Sequence, residues 1–383
     1  MKALQVFAGP RARQRLRQQG LRPSDVRVIP AAAGGPKGLV LLPLDRYLFG
    51  HWLAQAPQTV HLLGASIGAW RMAAACLPDS DAALAQLGED YITQSYPHEV
   101  GRLPTAGTVT ALFGQRLEQR LGSRAAEVLA HPQRRLHVFT SRGRKLLHRP
   151  NRVGLPLGWA SAFAANAVHR DLLGGWMQRV VFSDPRNALP VPLSDFPTAC
   201  TTLTPENLAR AVLASCTIPF ALEPVQDIVG GPPGTYWDGG ITDYHLHLNY
   251  AAMGSDFNAG AVGSEQIGAP EPGSSTDRQG ANLVLYPHFI SQVVPGWLDK
   301  AWKRRHRSTP ALDNLVLLSP HPEWVKTLPN GKLPDRADFK HYGDDEAGRQ
   351  RVWRRALDES QRLADEFAQT VGIGRPIDAL PLP

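Results

Sequence analysis

The stretch LLGASIGAW, residues 62–70, decides how this chain is read. An apolar run enters it, Ser66 sits between Gly64 and Gly68, and a helix-compatible run leaves it. In a G-x-S-x-G pattern the serine occupies a sharp strand-to-helix turn, and the flanking glycines relieve the crowding that this turn creates. The hydroxyl then stands at the end of a sheet, beside helix N–H groups able to stabilise an oxyanion. Ser66 is therefore a candidate nucleophile, and the plainer alternative is a glycine-lined turn where helix and strand pack closely. Alone the pattern recurs by chance, so its surroundings have to decide.

Immediately around it, TVHLLGA (59–65) reads as a strand and IGAWRMAAACL (67–77) as a helix. Upstream, VRVIPAAA (26–33) is a β-branched strand candidate, although Pro30 is unwelcome in a central strand. Residues 38–55 carry Leu39, Leu42, Leu48 and Trp52 at helical spacing, with a kink expected at Pro43. Strand, glycine loop, helix, strand, serine turn and helix make a βαβα order, which predicts an α/β fold with a parallel sheet. Further helices are expected over 82–94, 109–130 and 205–216, and strands at RRLHVFTS, RVVFSD, ANLVLYP and NLVLLS. A long charged helix is expected over 344–371.

The 383 residues, 43% hydrophobic, suffice for one large domain, 1–383. Within it we expect a motif-bearing core over 24–250, a flexible Gly/Ser-rich insertion over 254–280, and a C-terminal strand and helix region over 281–383. Cys76, Cys200 and Cys216 are odd in number and scattered, which argues against a disulfide framework or a zinc site and for a reducing, cytoplasmic setting. Arg11, Arg13, Arg15 and Arg17 stand where a signal peptide needs its apolar core, and no run of 18 apolar residues occurs. The net charge of +7 favours anionic surfaces. No nucleic-acid module accompanies it. Peripheral membrane contact is the other outlet for that charge: VVPGWLDKAWKRRHRS (293–308) sets Trp297 and Trp302 beside Lys300, Lys303, Arg304, Arg305 and Arg307. The plainer reading of that stretch is a solvated basic helix end.

Two more segments carry chemistry. In AAAGGPKGL (31–39), Gly34, Gly35 and Gly38 lie between a strand and a helix, where successive N–H groups can point into one concavity. The GK[ST] ending of a nucleotide loop is missing. In GTYWDGGITDYH (234–245), Asp238 ends an aromatic run and precedes Gly239 and Gly240, so its carboxylate can stand at a strand end. To take a serine proton it needs its basicity raised by desolvation, to which Tyr236 and Trp237 are expected to contribute.

GGPKG, GASIG and DGG in this order, with ASCTIPFALEPV (214–225) ahead of the aspartate, resemble the patatin-like phospholipase family. The resemblance implies a mostly parallel central sheet flanked by helices, with a C-terminal helical extension here. It further implies hydrolysis of fatty acyl esters in phospholipids or neutral lipids by a Ser-Asp dyad, without metal or organic cofactor. Ser66 matches the nucleophile and Asp238 the base. The backbone N–H groups of Gly34, Gly35 and Lys37 match the oxyanion hole, with Ile67 N–H as a further donor. Gly38, Gly64, Gly68, Gly239 and Gly240 are the motif glycines. One departure is Ala33, where family members often carry a third glycine, and Pro30 and Pro36 stiffen its neighbourhood.

Two rivals stand beside this reading. A Ser-His-Asp esterase would draw its base from His245, His247, His288 or His321, but that family places several strands before its serine and Ser66 has room for about two. A lipid- or membrane-binding protein with a degenerate site is the other.

Overall fold

The computed structural model describes residues 1–97, 104–253, 282–372 and 375–383. Its strands are β1 (Leu4–Ala8), β2 (Val26–Ala31), β3 (Val60–Ala65), β4 (Arg134–Gly143), β5 (Met177–Ser183) and β6 (Thr198–Thr202), then β7 (Val225–Gln226), β8 (Thr235–Asp238), β9 (Leu283–Pro287), β10 (Leu315–Pro320) and β11 (Leu380–Pro381). They form one sheet in the order β11-β1-β10-β9-β2-β3-β4-β5-β6, with β8 also on β4 and β7 on β8. From β10 to β4 every pairing is parallel. Every residue of VHLLGA, LVLYP and LVLLSP is buried, the pattern of strands covered by helices on both faces.

Local rules mispredict a few details. Pro43 falls where the 3-10 turn Gly35–Leu41 passes into the helix Leu42–Tyr47, in the first turn of that helix, where proline is tolerated. Pro30 stays in β2, paired with Leu63, because the β9 edge of β2 is used only as far as Val28. The long C-terminal helix is two, Glu346–Glu359 and Gln361–Thr370, meeting at Ser360, whose buried hydroxyl donates to the Ala356 carbonyl. Over 109–130 there are likewise two helices, Ala106–Leu117 and Ala125–Ala130. Several elements were not anticipated, among them β1, antiparallel to β10, the helix Pro10–Gln19, β6 and the helix Gly154–Val168. The insertion expected over 254–280 lies outside the described residues.

One junction positions the site. β3 covers an edge of β4 as far as the pair Ala65 and Phe139. β5 fills the opposite edge, so β8, paired through Asp238 and Thr140, must take over the edge that β3 leaves. Ser66, the residue after β3, and Asp238, the last of β8, therefore arrive at one place from opposite directions.

Candidate active site

Ser66 has φ 57° and ψ −130°, a backbone region that residues other than glycine rarely adopt. Three features hold it there. Its N–H donates to Ser215 Oγ (2.9 Å), and that hydroxyl donates to the Phe139 carbonyl on β4 (2.7 Å). The helix Ile67–Ala75 begins at once and is buried throughout. Gly68 lets that helix lie directly on β2, since a β-carbon there would collide with the Ala31 carbonyl.

Asp238 is held from the other side. Its N–H donates to the Thr217 carbonyl (2.8 Å), and Gly239 N–H donates to the Ser215 carbonyl (3.1 Å). A β-carbon on Gly239 would strike the Phe139 carbonyl, so only glycine fits. The short helix Gly240–Asp243 is pinned by Arg179, whose guanidinium grips Asp243 (2.8 and 2.6 Å) and Asp195 (2.8 and 3.0 Å).

The result is a hydrogen bond of 2.7 Å from Ser66 Oγ to Asp238 Oδ2, while Oδ1 accepts Gly240 N–H at 2.7 Å. Ser66 and Asp238 are only 4% and 5% exposed. Burial raises the Asp238 carboxyl above its ordinary range, opposed by the Ser66 hydrogen bond, the Arg336 charge, the Gly240 N–H and Lys300. Tyr236 and Trp237, expected to contribute to this desolvation, are themselves fully buried. Tyr236 donates its hydroxyl to the Pro232 carbonyl, and Trp237 packs edge-on to Trp159. Ala33 and Tyr244 pack beside Gly240.

Both residues open on a cavity of about 260 Å³ with apolar walls from Ile218, Pro219, Ile241 and Trp297 and cationic walls from Lys37, Lys300 and Arg336. Of the glycine loop, Gly34 and Lys37 line it. Gly35 turns with φ 56° at the start of the 3-10 turn Gly35–Leu41, where the first N–H groups have no intrahelical acceptor and Pro36 has no N–H. Ile67 N–H, at the start of its own helix, is in the same position. Ala33 donates its N–H to the Tyr244 carbonyl (2.9 Å).

The family model for patatin-like phospholipase matches residues 47–245, a little over half of the chain. The chain belongs to the patatin-like phospholipase family. Among solved structures, the crystal structure of VipD from Legionella pneumophila is similar at a TM-score of 0.36 and 10% identity, covering 95% of this chain and 70% of that one. No curated protein matches.

The patatin-like match includes Ser66, Ser215 and Asp238, whereas the GGPKG loop, Lys300 and Arg336 lie outside it. Ser215 joins the serine turn to β4 and was not anticipated, although it stands within ASCTIPFALEPV. Arg336 and Asp243 were likewise missed: nothing near Arg336 in sequence marks it, and Asp243, although within GTYWDGGITDYH, acquires its role from Arg179, 64 residues away. Lys300 stands over the Tyr244 ring (4.1 Å); burial of its ammonium, then the charges of Arg336 and Lys37, bring it down to about 8.

Three of the four histidines have partners away from Ser66 and Asp238. His245 Nδ1 accepts Val294 N–H (3.0 Å), His288 Nδ1 accepts Ile290 N–H (3.0 Å), and His321 caps the helix Pro322–Val325. Burial holds His245, His247 and His288 below the usual imidazole range. Among the described residues none of the four bonds Ser66 or Asp238 or lines the cavity.

The basic stretch 293–308 divides. Trp297 and Lys300 are cavity wall, while Asp299 is a buried hub held by Asn166 (3.0 Å), Arg170 (2.7 Å) and Arg305 (2.6 Å). Trp302, Lys303, Arg304 and Arg307 are exposed. Among the described residues no helix is long and apolar enough to cross a membrane, and no cluster of His, Cys, Asp or Glu is arranged to hold a metal ion.

Proposed function

We propose that the protein hydrolyses lipid acyl esters, with Ser66 as nucleophile and Asp238 as general base. The observation that carries this reading is the 2.7 Å hydrogen bond from Ser66 Oγ to Asp238 Oδ2 beside a cavity. Ser66 Oγ attacks the ester carbonyl carbon as its proton passes to Asp238. The oxyanion of the tetrahedral intermediate is met by the N–H groups of Gly34, Gly35 and Lys37, with Ile67 N–H as a further donor. Collapse breaks the ester C–O bond, and the departing alcohol takes the proton from Asp238. A water then gives its proton to Asp238 and attacks the acyl-Ser66 carbonyl. The fatty acid leaves as the proton returns to Ser66.

Burial helps this chemistry, because a carboxylate made more basic takes the serine proton with a smaller mismatch. Ile218, Pro219, Ile241 and Trp297 suit an acyl chain, and Lys37, Lys300 and Arg336 suit the negative charge that develops. Residues 1–383 are read as one catalytic domain because strands from both ends of the chain, β1 and β11, enter the same sheet. A cytoplasmic protein working at a membrane surface fits this reading.

The test is covalent labelling with a fluorophosphonate, read by intact mass and peptide mapping. One adduct on the peptide bearing Ser66, absent from Ser66→Ala, is the expected result. No adduct on folded wild-type protein would overturn the reading in favour of a lipid-binding protein without turnover.

A further inference from the structure

Of the twelve large apolar side chains left exposed among the described residues, six fall between 146 and 172: Leu146, Val153, Leu157, Phe163, Val168 and Leu172. The helix Gly154–Val168 accounts for this. Its fifteen residues, GLPLGWASAFAANAV, include no charge. Its inner stripe of Gly158, Trp159, Ala162 and Asn166 is buried, and Trp159 meets Trp237, the neighbour of Asp238, at 5.5 Å. A surface helix ordinarily turns polar residues to solvent. Here Leu157, Phe163 and Val168 are 55%, 49% and 76% exposed, so the outer face is as apolar as the inner one. A contiguous apolar face of this kind marks a docking surface.

Charge says what docks. Lys145 and Arg152 are exposed just before the helix, with Leu146 packed beside Gly158. Near its other end, Arg305 donates to the Asn166 carbonyl (2.9 Å) and so draws up the exposed Trp302, Lys303, Arg304 and Arg307. Among the described residues, none of Lys145, Arg152, Lys303, Arg304 and Arg307 has a carboxylate partner. Lys145 stands over the Trp176 ring (4.9 Å), and an apolar strip flanked at both ends by cations without carboxylate partners complements a layer of anionic head groups over hydrocarbon. A second copy of the chain would bring the same cations against these.

We propose that the outer face of the helix Gly154–Val168, with these flanking cations, seats the protein on an anionic phospholipid surface. The choice of partner rests on the lipid-hydrolase reading, and the experiment separates the two. Ser66→Ala protein is sedimented with vesicles of phosphatidylcholine and phosphatidylglycerol, and with phosphatidylcholine alone, with and without Leu157→Asp plus Phe163→Asp. Binding is expected to favour the anionic vesicles and to fall about tenfold or more in the Asp variant. In the Ser66 background the same two substitutions should leave thermal unfolding and turnover of a soluble short-chain ester unchanged. Equal vesicle binding by the Asp variant would overturn the proposal. So would a wild-type dimer that the two substitutions dissociate, with no vesicle binding by either form. Loss of the fluorophosphonate adduct on wild-type protein, by contrast, would remove the hydrolase and leave the vesicle result standing.

Discussion

On one side of β4 the sheet is parallel and apolar, with β10, β9, β2 and β3 presenting buried runs such as VHLLGA. The fully buried ion pair on that side, Arg71 with Asp45, lies between two helices and not in the strands. On the other side β5 runs antiparallel and carries Arg179, wholly buried, which ties Asp243 and Asp195 together. Asp299 nearby is a second buried charge, gripped by Arg170 and Arg305. β3 delivers Ser66 and β8, continuing the same edge of β4 beyond Ala65, delivers Asp238, but the helix that follows Asp238 is tied to the second side through Arg179 and Asp243. The turn at Ser66 thus rests mainly on apolar packing with one hydrogen bond to Ser215, and the turn after Asp238 on directional bonds that include the charge-assisted pair of Arg179 with Asp243. Packing loses strength gradually, whereas a buried charge that loses its partner fails at once.

The largest effect that would sharpen this contrast is chemical. Ser66→Ala and Asp238→Asn should each lower kcat by about a thousandfold or more. Urea unfolding of Asp238→Asn should nevertheless show equal or greater stability than wild type. Burial raises this carboxyl, so its ionised form opposes folding above its folded pKa, and an amide removes that opposition. A clear loss of stability in Asp238→Asn would break the argument.

Next in size is Arg179→Ala, expected to cost about 3–5 kcal/mol in urea unfolding by stranding Asp243. It should also lower kcat of the fraction that remains folded, because Asp243 closes the turn that follows Asp238. Leu62→Ala on the serine side should cost about 2–5 kcal/mol of stability and leave the folded fraction with near wild-type kcat. If the two variants behaved alike in kcat, the distinction between the halves would not hold.

Ser215→Ala probes the seam itself. It leaves Ser66 N–H and the Phe139 carbonyl without their shared partner, a loss of about 1–3 kcal/mol. A fall of roughly tenfold in kcat with little change in KM is expected, since Ser215 is not part of the cavity wall. A change confined to KM would mean that Ser215 does not position the nucleophile.

The smallest effect lies in the pH profile. In the proposed reaction Asp238 must be ionised and burial raises its carboxyl, so kcat/KM should decline with falling pH from above the ordinary aspartate value of ~3.9. Arg336 pulls that carboxyl down, so Arg336→Met should move the acid limb slightly further up. A shift to lower pH would show that Arg336 does not act on Asp238.

The serine half was largely legible in the sequence because its signals are local: apolar runs of strand length, punctuated by glycines. The aspartate half was legible only at DGG. Arg179 and Asp243 are 64 residues apart, and Ser215 acquires its role from Phe139, 76 residues away, so no window of sequence contains either relation. β1 was invisible for the same reason, its partner β10 lying at the far end of the chain. The helix Gly154–Val168 was missed on different grounds. With both faces apolar it has no hydrophobic period to detect.

Neighbouring rungs of β4, Phe139 and Thr140, receive the ends of β3 and β8, and this gives the pair a discrete kind of tolerance. The chain between Ser66 and Asp238 spans 172 positions and is free to lengthen or shorten in its connections without changing where either residue lands. Within β8 there is no such latitude. Removing a single residue there would slide the carboxylate by ~3.3 Å and turn it to the opposite face, with no intermediate setting available. Variation among related chains is therefore expected to be continuous in loop length and quantised at Ser66 and Asp238.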